Sequence, residues 1–170
     1  LDSAENTYLT DSILALLREN IVGSLNSDHV VLGLPTGRTY SRTFVLPADQ
    51  EKRIESAVEV EVDQYIPIPL ASLYVDYEII ERTKTQITVV MSAVPTTLVD
   101  VCVNAVRAAG LVPVIAEPSI NAVARVIEAT EEGHLSTLIV DIGPASTDIA
   151  VLDNGAIRVT GGVGIGGNTF

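Results

Sequence analysis

The chain has 170 residues, 47% apolar and 19% charged, which is enough to bury a core and excludes wholesale disorder. That length suits one domain or parts of two. The net charge, 10 − 22 = −12, leaves no basic stripe for nucleic acid and repels anionic lipid, and no apolar run nears the ~18–20 residues of a membrane span. The acid is uneven. Residues 49–81 hold nine Asp/Glu against Lys52 and Arg53, a net of −7, which reads as a solvated face or a docking face for a basic partner. Cys102 stands alone and His29 and His134 lie far apart, so neither an intrachain disulfide nor a Cys-based zinc site is expected. A reducing, cytoplasmic setting fits this cysteine usage. The opening LDSAENTYLT has neither a basic start nor an apolar run and does not read as a signal peptide.

In chain order, residues 10–25 predict a helix capped by Thr10, with Ile13, Leu16, Leu17, Ile21 and Leu25 on one stripe. A strand follows at His29–Leu34, then Pro35-Thr36-Gly37, then a strand at Thr39–Leu46. Arg38 and Arg42, on or near that strand, read as surface charges. Pro47 opens a helix to about Tyr65, burying Ile54, Ala57, Val58, Val62 and Tyr65 and leaving Glu51, Glu55, Glu59, Glu61 and Asp63 to solvent. Ile66-Pro67-Ile68-Pro69 stops it, because proline lacks an amide hydrogen and crowds the preceding turn. Leu73–Arg82 and Gln86–Val94 form a hairpin over Thr83-Lys84-Thr85. Residues 39–94 thus read as strand, helix, strand, strand.

A helix from Thr97 to Ala109 ends at Gly110, with Leu98, Val101, Cys102, Ala105 and Val106 inward. Leu111–Ala116 reads as a buried strand, and Pro118 starts a helix ending near Thr130. A loop spans Glu131-Glu132-Gly133-His134. Thr137–Asp141 is an apolar strand, and Asp148–Leu152 and Ala156–Thr160 pair over Asp153-Asn154-Gly155.

Residues 138–170 carry the chemistry. Leu138–Val140 place Asp141 at the end of a buried strand, Gly143 permits a tight turn, and Ser146 and Thr147 add hydroxyls. Turn amides beside an acid can cradle phosphate, and such an acid can hold Mg²⁺ through water. An ordinary hairpin turn with Asp141 as turn former fits the same spacing equally well. Gly162–Gly167 contains a literal G-x-G-x-x-G, but no helix and later acid complete a dinucleotide site. Gly167-Asn168-Thr169 lacks the lysine of a P-loop.

Asp141, Gly143, Ser146 and Thr147, then Gly166, Gly167 and Thr169, resemble the second phosphate motif of the actin-like ATPase superfamily. Upstream, Ala57–Pro69 ending in Tyr65-Ile66-Pro67-Ile68-Pro69, then Val75-Asp76-Tyr77, Ala109-Gly110-Leu111 and Glu117-Pro118, is similar to the type IV pilus assembly PilM family. The resemblance implies an α/β (α+β) actin-like, ribonuclease H-like lobe. It divides the chain into 1–38 as part of that lobe, 39–94 as an inserted module, 95–134 as the rest of the lobe, and 135–170 as the start of a second lobe.

The same resemblance implies ATP and Mg²⁺ as cofactors of the full protein, with Asp141 facing the metal through water. Gly143, Ser146 and Thr147 would line the phosphate turn, and Gly166 and Gly167 would allow close backbone passage. Glu117 could help order a water. The nucleotide would act as a switch, with at most slow hydrolysis. The implied partner is the N-terminal tail of a PilN-like inner-membrane protein, docked among Ile66–Leu70, the first strand pair and the helices at 97–109 and 119–130. A homo-oligomer is compatible with this; nucleic acid and direct membrane insertion are not expected. The implied place is cytoplasmic, at the inner face of the cell membrane. Pro144 removes one amide donor from the turn and favours an adaptor that has lost its nucleotide. An FtsA-like cell-division protein that polymerises is the other alternative. The first phosphate hairpin and the adenine-binding half do not occur in these residues, so this length is expected not to hydrolyse ATP and to be part of a protein roughly twice the size.

Overall fold

The computed structural model describes residues 3–19, 21–130 and 135–169, with side chains from Asn6 onward. The loop expected at 131–134 lies outside the described residues. The elements run α1 (Ser3–Glu19), β1 (His29–Leu34), β2 (Tyr40–Pro47), α2 (Ile54–Tyr65), β3 (Leu73–Arg82), β4 (Gln86–Pro95), α3 (Thr96–Ala108), β5 (Val112–Pro118), α4 (Ser119–Thr130), β6 (Thr137–Ile142), β7 (Thr147–Asp153) and β8 (Ala156–Val163). They divide into two compact units, Leu1–Leu34 with Thr96–Glu117, and Pro35–Pro95 with Pro118–Phe170. No helix among the described residues is long and apolar enough to cross a membrane.

The first unit holds α1, α3 and the two-stranded sheet β1–β5. The helix expected at 10–25 instead starts at Ser3 and ends at Glu19. Thr10 lies inside it rather than at its cap, and its hydroxyl donates back to Asn6 O at 2.8 Å, a bond open to threonine within a helix. The helix cannot continue to Leu25 because Gly23 takes φ +104°, outside the helical region. Leu34, Ala105 and Val106 are buried. β5 is not the buried strand expected, since Val112, Val114 and Ile115 are all exposed. Among the described residues it pairs only with β1, too narrow a sheet to cover it. Cys102 is half-buried, and burial pushes its thiol pKa above the ordinary value. At pH 8 a thiol reagent should therefore modify Cys102 more slowly than a free cysteine, because the thiolate is the reacting form. Equal rates by mass spectrometry would contradict this.

In the second unit, β2, β4 and β3 form an antiparallel sheet in that order, with Phe44 opposite Val89 and Tyr77 opposite Met91. β4 sits centrally and buries Ile87, Val89, Met91 and Ala93, the alternate positions of one face. These pack with Ile54, Val58, Val62 and Ile66 of the α2 region. The helix expected from Pro47 begins as a 3₁₀ segment, Ala48–Arg53, because Ala48 N donates to Thr85 O at 2.9 Å and ties the chain to the β3–β4 turn. The second sheet of this unit runs β6–β7–β8, and Ile139, Ala150 and Leu152 pack with Ile120 and Ala124 of α4. β6 was expected buried, yet only Ile139 is; Leu138, Val140 and Ile142 are exposed on the face away from α4. The β7–β8 turn matches expectation, with Asn154 at φ +50° and Gly155 at φ +74°, the left-handed pair that a two-residue hairpin turn requires. The strand expected to stop at Thr160 continues to Val163, so Gly161 and Gly162 pair with Ile149 and Asp148.

α4 is positioned by a residue 84 positions upstream. Thr36 is 2% exposed, its Oγ1 accepts a hydrogen bond from Ile120 N at 3.3 Å, and it lies 3.1 Å from Ser119 Oγ. A helix start leaves its first amides without partners, and a threonine hydroxyl can satisfy one of them. Here the hydroxyl comes from the Thr36–Arg38 turn that precedes β2.

Candidate functional site

The turn expected to cradle phosphate is the connection from β6 to β7. Antiparallel pairing sets Ile142 opposite Thr147 and Asp141 opposite Asp148, leaving Gly143–Ser146 to reverse the chain. Gly143 N donates to Ser146 O at 2.8 Å and closes the turn. A Cβ at position 143 would lie 3.2 Å from that same oxygen, which explains the glycine.

The segment 165–169 folds over this turn. Gly167 N donates to Gly143 O and Asn168 N to Pro144 O, both at 2.9 Å. Thr147 Oγ1 donates to Ile165 O at 2.7 Å. Gly166 is buried in the seam. A Cβ there would collide with Gly143 O and stand 2.6 Å from Pro144 C and 2.7 Å from Ala145 N. So Gly143, Ser146, Thr147, Gly166 and Gly167, up to 24 positions apart in sequence, meet in one place. Pro144 contributes its carbonyl, which accepts from Asn168. The Thr147 hydroxyl and the Gly167 amide are both spent inside the protein.

Asp141 is exposed beside the turn. Directly opposed residues of an antiparallel pair share a face, so Asp141 and Asp148 project on the same side, the side Ile139 and Ala150 bury. Asp148 is 8% exposed, and its Oδ1 would lie 2.7 Å from a Cβ at Gly162. That Cβ would also stand 3.0 Å from Gly37 Cα, so Gly162 is a close-approach position between β7 and the Thr36–Arg38 turn. Asp148 is a buried carboxylate beside the turn that the sequence reading did not single out. Its signal was there: alternation puts it in phase with Ala150 and Leu152, an acid at a core register position. Among the described residues no group of three or more His, Cys, Asp or Glu gathers to hold a metal. What stands here is two carboxylates and the Ser146 hydroxyl, all-oxygen donors of the kind a hard cation shares with phosphate and water.

A second feature lies around Arg42, which is not the plain surface charge expected. Its Nε donates to Glu61 Oε2 at 2.8 Å, and its guanidinium sits 3.4 Å from the Tyr65 ring centroid. Tyr65, expected in the core, is 52% exposed because this stacking draws it outward. Glu61, expected in solvent, is only 22% exposed at its side chain. Glu51 likewise bonds Arg82. Arg42, Tyr65 and Ile66 line a cavity of about 360 Å³ that also reaches Gly37 and Gly162.

A family model for the type IV pilus assembly protein PilM matches residues 4–170. A chain of a solved PilM–PilN type IV pilus biogenesis complex is 26% identical, with a TM-score of 0.81, over 97% of this chain and 50% of that one. The cytoplasmic domain of EpsL, an inner-membrane component of the type II secretion system of Vibrio cholerae, shares the fold. Its TM-score is 0.60 at 11% identity, over 94% of this chain and 56% of that one. The chain therefore spans about half the length of the structures it matches. With a mixed α/β architecture and a family match over nearly every residue, this chain belongs to the type IV pilus assembly protein PilM family.

Proposed function

We propose that the full protein is an ATP-binding, actin-like scaffold of type IV pilus assembly whose nucleotide state acts as a switch. In this reading residues 39–94 are a module inserted into the first lobe and residues 135–170 open the second. The protein works at the cytoplasmic face of the inner membrane, where it docks the N-terminal tail of a PilN-like partner. The observation that carries the nucleotide is the turn Gly143–Ser146, locked from above by 165–169 with two carboxylates at its foot. Asp141 faces the Mg²⁺, with Asp148 beside it, and the turn takes phosphate oxygens. When bound, the metal neutralises phosphate charge. The protein's own part is to orient the phosphates with the turn and to hold the metal's water shell with the carboxylates.

Asp141→Ala in the full-length protein should weaken Mg·ATP binding by about a hundredfold, the loss of a charge-assisted contact in the binding site. Calorimetry measures it, and unchanged affinity would sink the nucleotide reading. That result would favour the second reading, an adaptor that binds protein alone. Pro144, which brings no amide to the turn, and the engagement of the Gly167 and Asn168 amides by turn carbonyls are what speak for it. Partner docking is supported by the likeness to a chain of the solved PilM–PilN complex and is independent of which reading holds.

A further inference from the structure

The run Val75-Asp76-Tyr77 is among the residues that carry the family likeness, yet the proposed function gives it no part. It lies on β3, an outer strand of the β2–β4–β3 sheet. Among the described residues no strand pairs with the other edge of β3. An open edge offers unpaired amides and carbonyls to any second strand. β3 has the length to be such a template, ten residues, and Tyr74 and Tyr77 on it are exposed.

In an antiparallel pair every second residue turns its amide and carbonyl away from the partner strand. Tyr77 is marked as one of these by its hydrogen bond. Its N donates to Asp76 Oδ1 at 2.9 Å, a side chain of its own strand. Val75 and Ile79, two residues to either side, share that phase and face the same way. Between Ile79 and Glu81 the register with β4 shifts. Such an irregularity bends an edge and ends flat pairing there. The flat stretch left to a second strand is therefore Leu73–Ile79, and the Tyr77 amide lies within it.

A second strand has to place a carbonyl on that amide. The carboxylate already there makes a charge-assisted bond, stronger than the one a neutral carbonyl offers in exchange. It also sets negative charge where the incoming carbonyl oxygen must arrive. Two copies of one chain carry β3 in matching length and pattern, so a symmetric antiparallel pair of β3 strands is the association this edge most readily invites.

We infer that Asp76 guards the edge of β3. By taking the Tyr77 amide it denies this strand to the β3 of a second copy and keeps the sheet at three strands. The inference goes beyond the nucleotide and docking readings and depends on neither. An oligomer built on another surface is unaffected by it.

The test uses the full-length protein, with analytical ultracentrifugation over a range of concentrations and hydrogen exchange resolved to single residues. Asp76→Ala should associate at least about tenfold more tightly than the parent. Below the concentration of that association, its Tyr77 amide should exchange about tenfold faster than in the parent. The amides of residue 76 and Glu78, which face β4, should be unchanged. Asp76→Asn keeps an acceptor oxygen on the same stem and should match the parent in both measurements. Position 76 is exposed, so both variants should keep the parent's melting temperature. Asp76→Ala that sediments as the parent does would overturn the guard. Association of Asp76→Asn equal to that of Asp76→Ala would mean that charge, not the hydrogen bond, closes the edge, and the inference fails. New association that leaves the Tyr77 amide as quick to exchange at high concentration as at low would place the contact elsewhere, and the β3 edge is then ruled out.

Discussion

Gly166→Ala should lower stability by about 1–3 kcal/mol, the scale of inserting a methyl group where backbone already fills the space. The new Cβ would meet Gly143 O, Pro144 C and Ala145 N, all backbone atoms of the turn that no rotamer change can move aside. To relieve the clash, residues 165–169 must lift off the turn. That breaks the bonds from Gly167 N to Gly143 O and from Asn168 N to Pro144 O, and strains Thr147 Oγ1 to Ile165 O. In the full protein the same change should abolish nucleotide binding if the turn cradles phosphate, since the turn amides lose the geometry that the overlying segment enforces. Gly161→Ala and Gly164→Ala are the controls. Their Cβ atoms would meet nothing within 4 Å, and both should stay within about 0.5 kcal/mol of the parent. Thermal or urea unfolding of the three variants decides this. Equal stability of all three would mean that 165–169 is not packed on the turn.

Met91→Ala should cost about 2–5 kcal/mol. Met91 is 1% exposed on the central strand of the β2–β4–β3 sheet, opposite Arg42 on one side and Tyr77 on the other. Truncation removes buried apolar surface and leaves a hole that β4, paired on both edges, cannot close by moving. Met91→Leu conserves volume and should cost less than about 1.5 kcal/mol. A loss of under about 1 kcal/mol in denaturant melts would show that the sheet relaxes around the site.

Much of this architecture follows from local patterning. The β3–β4 and β7–β8 hairpins agree with the residues because alternation and turn chemistry are short-range: Asn154-Gly155 has one good use, and Thr83 closes its own turn through Gln86. Within the Asp141–Thr147 and Gly166-Gly167 segments, Gly143 and Gly166 mark places where backbone nears backbone. Helix ends read less well. Thr10 has the chemistry of a cap and serves inside α1, since a threonine hydroxyl satisfies a carbonyl as readily as an amide.

What the residues alone determined is therefore the order of elements, the two hairpins, the Gly143–Ser146 turn and the family. Only the tertiary structure decided which distant groups meet. Thr36 caps α4 across 84 positions, Asp148 is buried on the face it shares with Asp141, and Arg42 is held by Glu61 and Tyr65. Periodicity tells which face of an element is apolar; it carries no information about what lies across from the other face. Charge pairing, stacking and the exposure of β5 and β6 depend on that second neighbour, which only folding supplies.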